Sequence, residues 1–188
     1  TIERLQNTGF GRSQMNFFSG NIAVYNYKYF LPYYNDEAEI MFLGDSTTEG
    51  VDVQDLTNRW CYQLKTNYFK TRKCIINGVG GNRVYQALER MQRLINTSGY
   101  SNLKYCIIYL GLNGSISDYE EKMPELITLC KNNNIKPIVA IPQRYANAVQ
   151  DLETKRDFAI AQKWDLIRFD LTSLTNLHPT DVQQPILE

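Results

Sequence analysis

The chain has 188 residues, with 20 basic and 20 acidic side chains and a formal net charge of zero. This length fits one domain, and a domain of this size buries about 70% of its unfolded surface without needing disulfides or a metal. The balanced charge lacks the basic face of a nucleic-acid-binding protein, and no apolar stretch approaches the roughly 20 residues of a membrane span. We therefore expect no nucleic-acid partner and no membrane span.

The first 38 residues differ in composition from the rest. They are rich in Phe and Tyr and show little helical periodicity. We expect residues 1–38 to form an aromatic extension packed on a domain that spans residues 39–188. Because the sequence begins with Thr1 rather than Met, we also expect a trimmed or mature form, either cytoplasmic or secreted after removal of a signal peptide.

From residue 39 onward, short apolar segments alternate with amphipathic ones. Each apolar segment is bounded by Gly, Pro, Asn or Asp, as is typical of strands buried in a parallel sheet. The alternation predicts a three-layer α/β/α sandwich with a central parallel sheet of about five strands. The predicted strands are EIMFLG (39–44), KCIING (73–78), KYCIIYLG (104–111), KPIVAIP (136–142) and DLIRFD (165–170).

Helical patterns lie between these strands. Ser117 with Glu120 predicts a capping box at the start of one helix, and Pro124 either begins that helix or kinks it. Residues 147–163 form the last predicted helix. One further helix is marked by Trp60, Leu64 and Phe69, and another by apolar residues at helical spacing, namely Val84, Ala87, Leu88, Met91 and Leu94.

The four cysteines are widely spaced, and each has apolar neighbours. We interpret them as buried small hydrophobic residues rather than as a disulfide framework or a zinc site. They are Cys61, Cys74, Cys106 and Cys130.

Small polar residues are concentrated in four predicted loops at the carboxyl ends of strands, where doubly wound folds place their functional residues. Ser46 lies at a strand-to-helix turn, and a serine becomes nucleophilic when a base removes its proton. His178 is the single histidine and suits that role near neutral pH. The four loops are GDSTTEG (44–50), NGVGGNR (77–83), GLNG (111–114) and LTNLHPT (174–180).

These four blocks, in this order, resemble the SGNH/GDSL hydrolase superfamily of esterases and lipases across residues 39–180. The resemblance implies a flavodoxin-like strand order and a serine esterase with Ser46 as nucleophile and His178 as base. It also implies an oxyanion hole formed by the Ser46 backbone N–H, the Gly81 backbone N–H and the Asn113 side chain. Gly80 is the alternative to Gly81. Taken alone, the glycines and Asn113 are equally consistent with tight turns.

Several polar residues are expected to support this site. We interpret Asp45 as holding the serine turn through hydrogen bonds to backbone N–H groups rather than taking part in the chemistry. Gln143 and Arg144 follow the fourth strand, and they either contact substrate or belong to a solvated loop. Thr175 stands where the superfamily has the Asp of a D-x-x-H motif. We therefore expect a Ser–His dyad, in which Thr175 or a backbone carbonyl holds the imidazole.

The residues around Ser46 resemble those of carbohydrate O-acetyl esterases, which predicts a small-molecule or glycan ester as substrate. The aromatic rings of residues 10–34 either stack on sugar rings or pack on the sheet edge. No cofactor and no metal are expected. Two alternatives stay open: an acetyltransferase that uses the same serine, and a degenerate glycan-binding module on this scaffold. A phosphate-binding loop at residues 77–83 is a third, although the G-x-G-x-x-G spacing is missing.

Overall fold

The computed structural model describes residues 38–51, 53, 55–95, 100–140 and 149–167. Almost all of the expected aromatic extension, residues 1–37, lies outside these ranges. Its packing on the domain therefore stays a prediction.

A single parallel sheet organises the described part of the chain. Its strands are β1 (Ile40–Gly44), β2 (Cys74–Gly78), β3 (Tyr105–Tyr109), β4 (Lys136–Ala140) and β5 (Leu166–Ile167). Their order across the sheet is β2-β1-β3-β4-β5, with every neighbouring pair parallel. This is the flavodoxin-like order. It confirms the predicted fold class and places the loops that follow β1, β2 and β3 at one edge of the sheet.

Helices connect the strands in the predicted alternation. They are α1 (Ser46–Glu49), α2 (Trp60–Asn67), α3 (Val84–Ile95), α4 (Ile116–Asn132) and α5 (Val149–Ala161), with a 3₁₀ turn at Leu56–Asn58. None of these helices is both long and apolar enough to cross a membrane.

The two faces of the sheet are covered by different helices. Met41 of β1 packs into a core cluster that includes residues of α3 and α4, whereas Phe42 packs into a second cluster with α2. The ring of Trp60 in α2 meets the Phe42 ring edge-on, with 5.5 Å between centroids. Phe158 of α5 packs against the α3–α4 side. The result is three layers, because the side chains of a strand alternate between faces.

The apolar stripe of α3 is confirmed. All five residues that predicted this helix are buried, and they line the core side of α3. The four cysteines are also buried, as predicted. Burial raises the pKa of the Cys61 thiol to about 12 and that of Cys74 to about 11, so both thiols stay protonated near neutral pH.

The predicted capping box of α4 is wrong by two residues. The N-cap is Ser115, whose hydroxyl accepts a hydrogen bond from the Asp118 N–H at 3.1 Å, and Ser117 lies inside the helix. The helix starts early because the chain enters it directly from Gly114, which has a φ of +86°. The helix also continues through Pro124 rather than beginning there.

Candidate active site

The turn that carries Ser46 is built by its two neighbours. Asp45 is the N-cap of α1, and its side chain accepts a hydrogen bond from the Thr47 N–H at 3.0 Å, as its expected supporting role requires. A Cβ on Gly44 would lie 1.9 Å from Thr48 Oγ1, so only glycine lets α1 fold back over the end of β1. Ser46 is therefore the first residue of a one-turn helix at the carboxyl end of β1.

Ser46 is buried, with 6% of its surface exposed. The second loop comes close to it, because a Cβ on Gly80 would lie 3.8 Å from Ser46 Cβ. The serine is thus enclosed between its own turn and the Gly-rich turn after β2. A reagent or substrate must enter this space to reach the hydroxyl.

The Gly-rich turn contains two candidate oxyanion donors, the N–H groups of Gly80 and Gly81, and their surroundings differ. The Gly80 N–H donates to Glu49 Oε2 at 2.5 Å, so this amide is already engaged by a carboxylate. Gly81 has a φ of +74°, and a Cβ there would meet no atom within 4 Å. Gly81 therefore has open space around its Cα, whereas the Gly80 N–H is bound within the protein.

Asn113 connects the three turns. Its side-chain Nδ2 donates to Asp45 Oδ2 at 3.4 Å and to the Asn82 carbonyl at 3.2 Å. The positive φ angles of this turn fall on Gly111 and Gly114, not on Asn113. Its backbone conformation therefore does not require asparagine. The side-chain amide is the feature that the turn presents, and it lies where the loops after β1, β2 and β3 meet.

Asp45 is a buried carboxyl at the centre of this group. Burial raises its pKa to about 7, against the opposing effects of the Thr47 N–H and the nearby Arg90 guanidinium. A group with this pKa is divided between its charged and neutral forms near neutral pH. Its Oδ1 accepts from the Thr47 N–H and its Oδ2 from Asn113 Nδ2, so Asp45 holds both the turn and the Asn113 amide.

Arg90 of α3 is a supporting residue that the sequence analysis missed. Its Nη2 donates to the Gly44 carbonyl at 3.0 Å and to the Asn77 carbonyl at 3.3 Å, and its Nη1 donates to Asn82 Oδ1. It thus ties the ends of β1 and β2 to the Gly-rich turn. The sequence did contain an indication of this role. Arg90 is a charged residue within the apolar stripe of α3, three positions after Ala87 and four before Leu94.

The fold is similar to those of several solved structures. A carbohydrate acetylesterase family member from Sinorhizobium meliloti aligns with a TM-score of 0.62 at 14% identity, covering 78% of this chain and 92% of that one. A member of the lipolytic protein G-D-S-L family from Veillonella parvula aligns with a TM-score of 0.59 at 16% identity, covering 70% and 78%. The esterase EstA of Pseudoalteromonas, in a structure inhibited by monoethylphosphonate, aligns at 0.58 and 18% identity, covering 78% and 90%.

The chain has the fold of the G-D-S-L hydrolases. No protein-family model and no curated protein matches the sequence. At these identities the likeness shows the fold alone.

Within the G-D-S-L fold of this chain, the structure brings together Asp45, Ser46, Gly80, Gly81 and Asn113. The remaining predicted site residues, Gln143, Arg144, Thr175 and His178, lie outside the described residues. Their roles therefore stay predictions. Among the residues that are described, no group of three or more His, Cys, Asp or Glu side chains could hold a metal ion.

Proposed function

We propose that this chain is a serine esterase that hydrolyses carboxylic esters through an acyl-Ser46 intermediate. One observation carries the proposal. The turns after β1, β2 and β3 converge, with the Asn113 amide bound between Asp45 of the serine turn and the Asn82 carbonyl of the Gly-rich turn. A nucleophile and hydrogen-bond donors drawn from separate turns are the parts that acyl transfer requires.

In the proposed mechanism, Ser46 Oγ attacks the ester carbonyl while His178 accepts the hydroxyl proton. Collapse of the tetrahedral intermediate expels the alcohol, which takes that proton from His178. Water, deprotonated by His178, then releases the acid and restores Ser46. The assignment of His178 is supported by its being the single histidine of the chain. In the sequence His178 also comes after β5, a strand that runs parallel to β4.

The negative charge that develops on the carbonyl oxygen needs donors. We assign these to the backbone N–H groups of Ser46 and Gly81 and to Asn113 Nδ2. The engagement of the Gly80 N–H by Glu49 favours Gly81 over Gly80. The contact from Asn113 to Asp45 is long, at 3.4 Å, and so is weak enough to be exchanged for an oxyanion.

For the substrate, we propose a small acyl group, such as acetyl, on a carbohydrate. The support is the likeness in fold to a carbohydrate acetylesterase family member, together with the residues around Ser46. An acyltransferase would use the same acyl-serine with a sugar hydroxyl as acceptor. Measuring released acetate against newly formed acetyl-sugar separates the two outcomes.

The proposal predicts covalent labelling of one serine. Incubation with a fluorophosphonate should stop hydrolysis of p-nitrophenyl acetate, because the reagent phosphonylates an activated serine hydroxyl. Mass mapping of the labelled protein should place the adduct on Ser46. Hydrolysis that persists in fully labelled protein, or an adduct on another serine, would overturn the assignment.

A second prediction concerns how the imidazole is held. A carboxylate three residues before His178 would stabilise the imidazolium and raise its pKa. We expect Thr175→Ala to change kcat by less than about threefold, well below the effect of about 10⁴ that loss of a triad Asp can have. Thr175→Asp should raise both the rate and the apparent pKa of the acid limb of kcat/KM. The measurement is a pH–rate profile of the three proteins on one ester. A large loss in Thr175→Ala would show that the threonine itself holds His178.

A further inference from the structure

A lysine lies beneath the turn that carries Asn113. Lys155 belongs to α5, and only 2% of its surface is exposed. Its Nζ donates to the Gly111 carbonyl at 2.8 Å and to the Gly114 carbonyl at 3.1 Å. These carbonyls belong to the first and last residues of the G-L-N-G turn, so one ammonium group binds both of its ends.

Burying an ammonium group is costly unless hydrogen bonds or nearby charges offset the cost. Burial lowers the pKa of Lys155, although Asp118 and Asp151 act in the opposite direction. No described carboxylate lies within ion-pair distance of Nζ. Its further contact is the face of the Tyr119 ring, whose centroid is 6.0 Å away. The two turn carbonyls are thus the direct hydrogen-bonding partners of Nζ among the described residues.

The backbone of the turn explains why a long cationic side chain is needed. Gly111 and Gly114 have φ angles of +119° and +86°, so both ends of the turn adopt a left-handed backbone conformation that favours glycine. Their carbonyls point towards α5 and accept from the lysine rather than from strand or helix N–H groups. An apolar side chain of similar length would fill the space and leave these two acceptors without a donor.

We propose that Lys155 is a positioning residue for Asn113: by binding the Gly111 and Gly114 carbonyls together, it fixes the turn that aims the Asn113 amide at the reacting carbonyl oxygen. This inference rests on the proposed esterase function. Asn113 reaches Asp45 and Asn82 from this turn, so a shift of the turn displaces the amide from the place where the three loops meet. Displacement of a catalytic group by about 1 Å can cost about 10² in rate.

The test replaces Lys155 by methionine, which keeps the length and apolar stem but has no donor. Lys131→Met, at an exposed lysine of α4, is the matched control. With p-nitrophenyl acetate, we expect Lys155→Met to lower kcat by about 10²-fold while KM changes by less than about threefold. The control should keep the wild-type kcat. Lys155→Arg, which retains the charge and the donors, should recover most of the lost rate.

A double-mutant comparison separates positioning from general destabilisation. If Lys155 acts through Asn113, Lys155→Met should cause less than about a twofold further loss in an Asn113→Ala background. Equal losses in both backgrounds, or a wild-type kcat in Lys155→Met, would overturn the proposal. If Lys155→Met does not fold, Lys155→Gln is measured in the same two backgrounds.

An NMR measurement without substrate tests the positioning role of Lys155 independently of the esterase proposal. The side-chain amide signals of Asn113 in a ¹H–¹⁵N spectrum are assigned by their loss in Asn113→Ala. They should shift or broaden in Lys155→Met and stay in place in Lys131→Met. If the wild-type protein hydrolyses no ester but these signals move, the esterase proposal fails and the positioning role stands. Unmoved signals in Lys155→Met would overturn the positioning role.

Discussion

Replacing Ser46 by alanine is expected to abolish ester hydrolysis, with a loss on the order of 10⁶-fold in kcat, as removal of a nucleophilic serine causes in a serine hydrolase. The loss is large because no acyl-enzyme can form without the hydroxyl. Binding and oxyanion stabilisation alone leave only a small residual rate. The measurement is the steady-state rate on p-nitrophenyl acetate, followed by a search for trapped acyl-enzyme in the wild-type protein.

The free energy of unfolding is measured as a control, because it shows whether the loss of activity comes from unfolding. Ser46 is the first residue of α1, and the cap of that helix is Asp45. The free energy of unfolding should therefore fall by no more than about 1.5 kcal/mol in Ser46→Ala, the typical value of one hydrogen bond. Ser101→Ala, at an exposed serine before β3, should change neither property. A folded Ser46→Ala protein with the wild-type rate would refute the nucleophile assignment.

Replacing Asn113 by alanine is expected to lower kcat by about 10²–10³-fold, the loss that follows removal of one oxyanion donor. KM should change little, because the donor acts on charge that develops in the transition state. Alanine is compatible with the backbone at this position, since the positive φ angles of the turn belong to Gly111 and Gly114. Full kcat and KM determination on one small ester tests the prediction.

The matched control is Asn133→Ala. Asn133 lies at the C-terminal end of α4, where its Nδ2 donates to the Leu129 carbonyl at 2.8 Å. Both substitutions remove side-chain amide hydrogen bonds and should cost about 1 kcal/mol of stability. Only Asn113→Ala should lose activity. If its loss stays below about tenfold, Asn113 serves the turn rather than the oxyanion.

Much of the fold could be predicted from the sequence because local patterns encode it. The apolar stripe from Val84 to Leu94 predicts α3, and short apolar segments ending in small polar loops predict the parallel strands and their common edge. The start of α4 was missed because Ser115 and Ser117 both fit a capping pattern. The choice between them depends on how the chain leaves the preceding turn at Gly114.

Part of the candidate site could likewise be predicted from the sequence, and part could not. By itself the sequence determined which loops carry Ser46, Gly81 and Asn113, because chain order and strand periodicity place those loops at one edge of the sheet. Only the tertiary structure decided what surrounds them: the Glu49 carboxylate on the Gly80 N–H, and the Arg90 guanidinium on the Gly44 carbonyl. The partners of a charged side chain depend on segments that folding brings together.

Lys155 is the clearest case of that dependence. In the sequence it is one of several charged residues in an ordinary helical segment, and nothing in its neighbourhood distinguishes it from a solvent-exposed lysine. Its Nζ binds a carbonyl 44 residues away, and packing of α5 against α4 buries it. Sequence periodicity predicts where a helix lies. Tertiary packing decides whether a polar side chain is buried. It also decides its hydrogen-bond partners, because these are the backbone acceptors that the packed chain leaves without another donor.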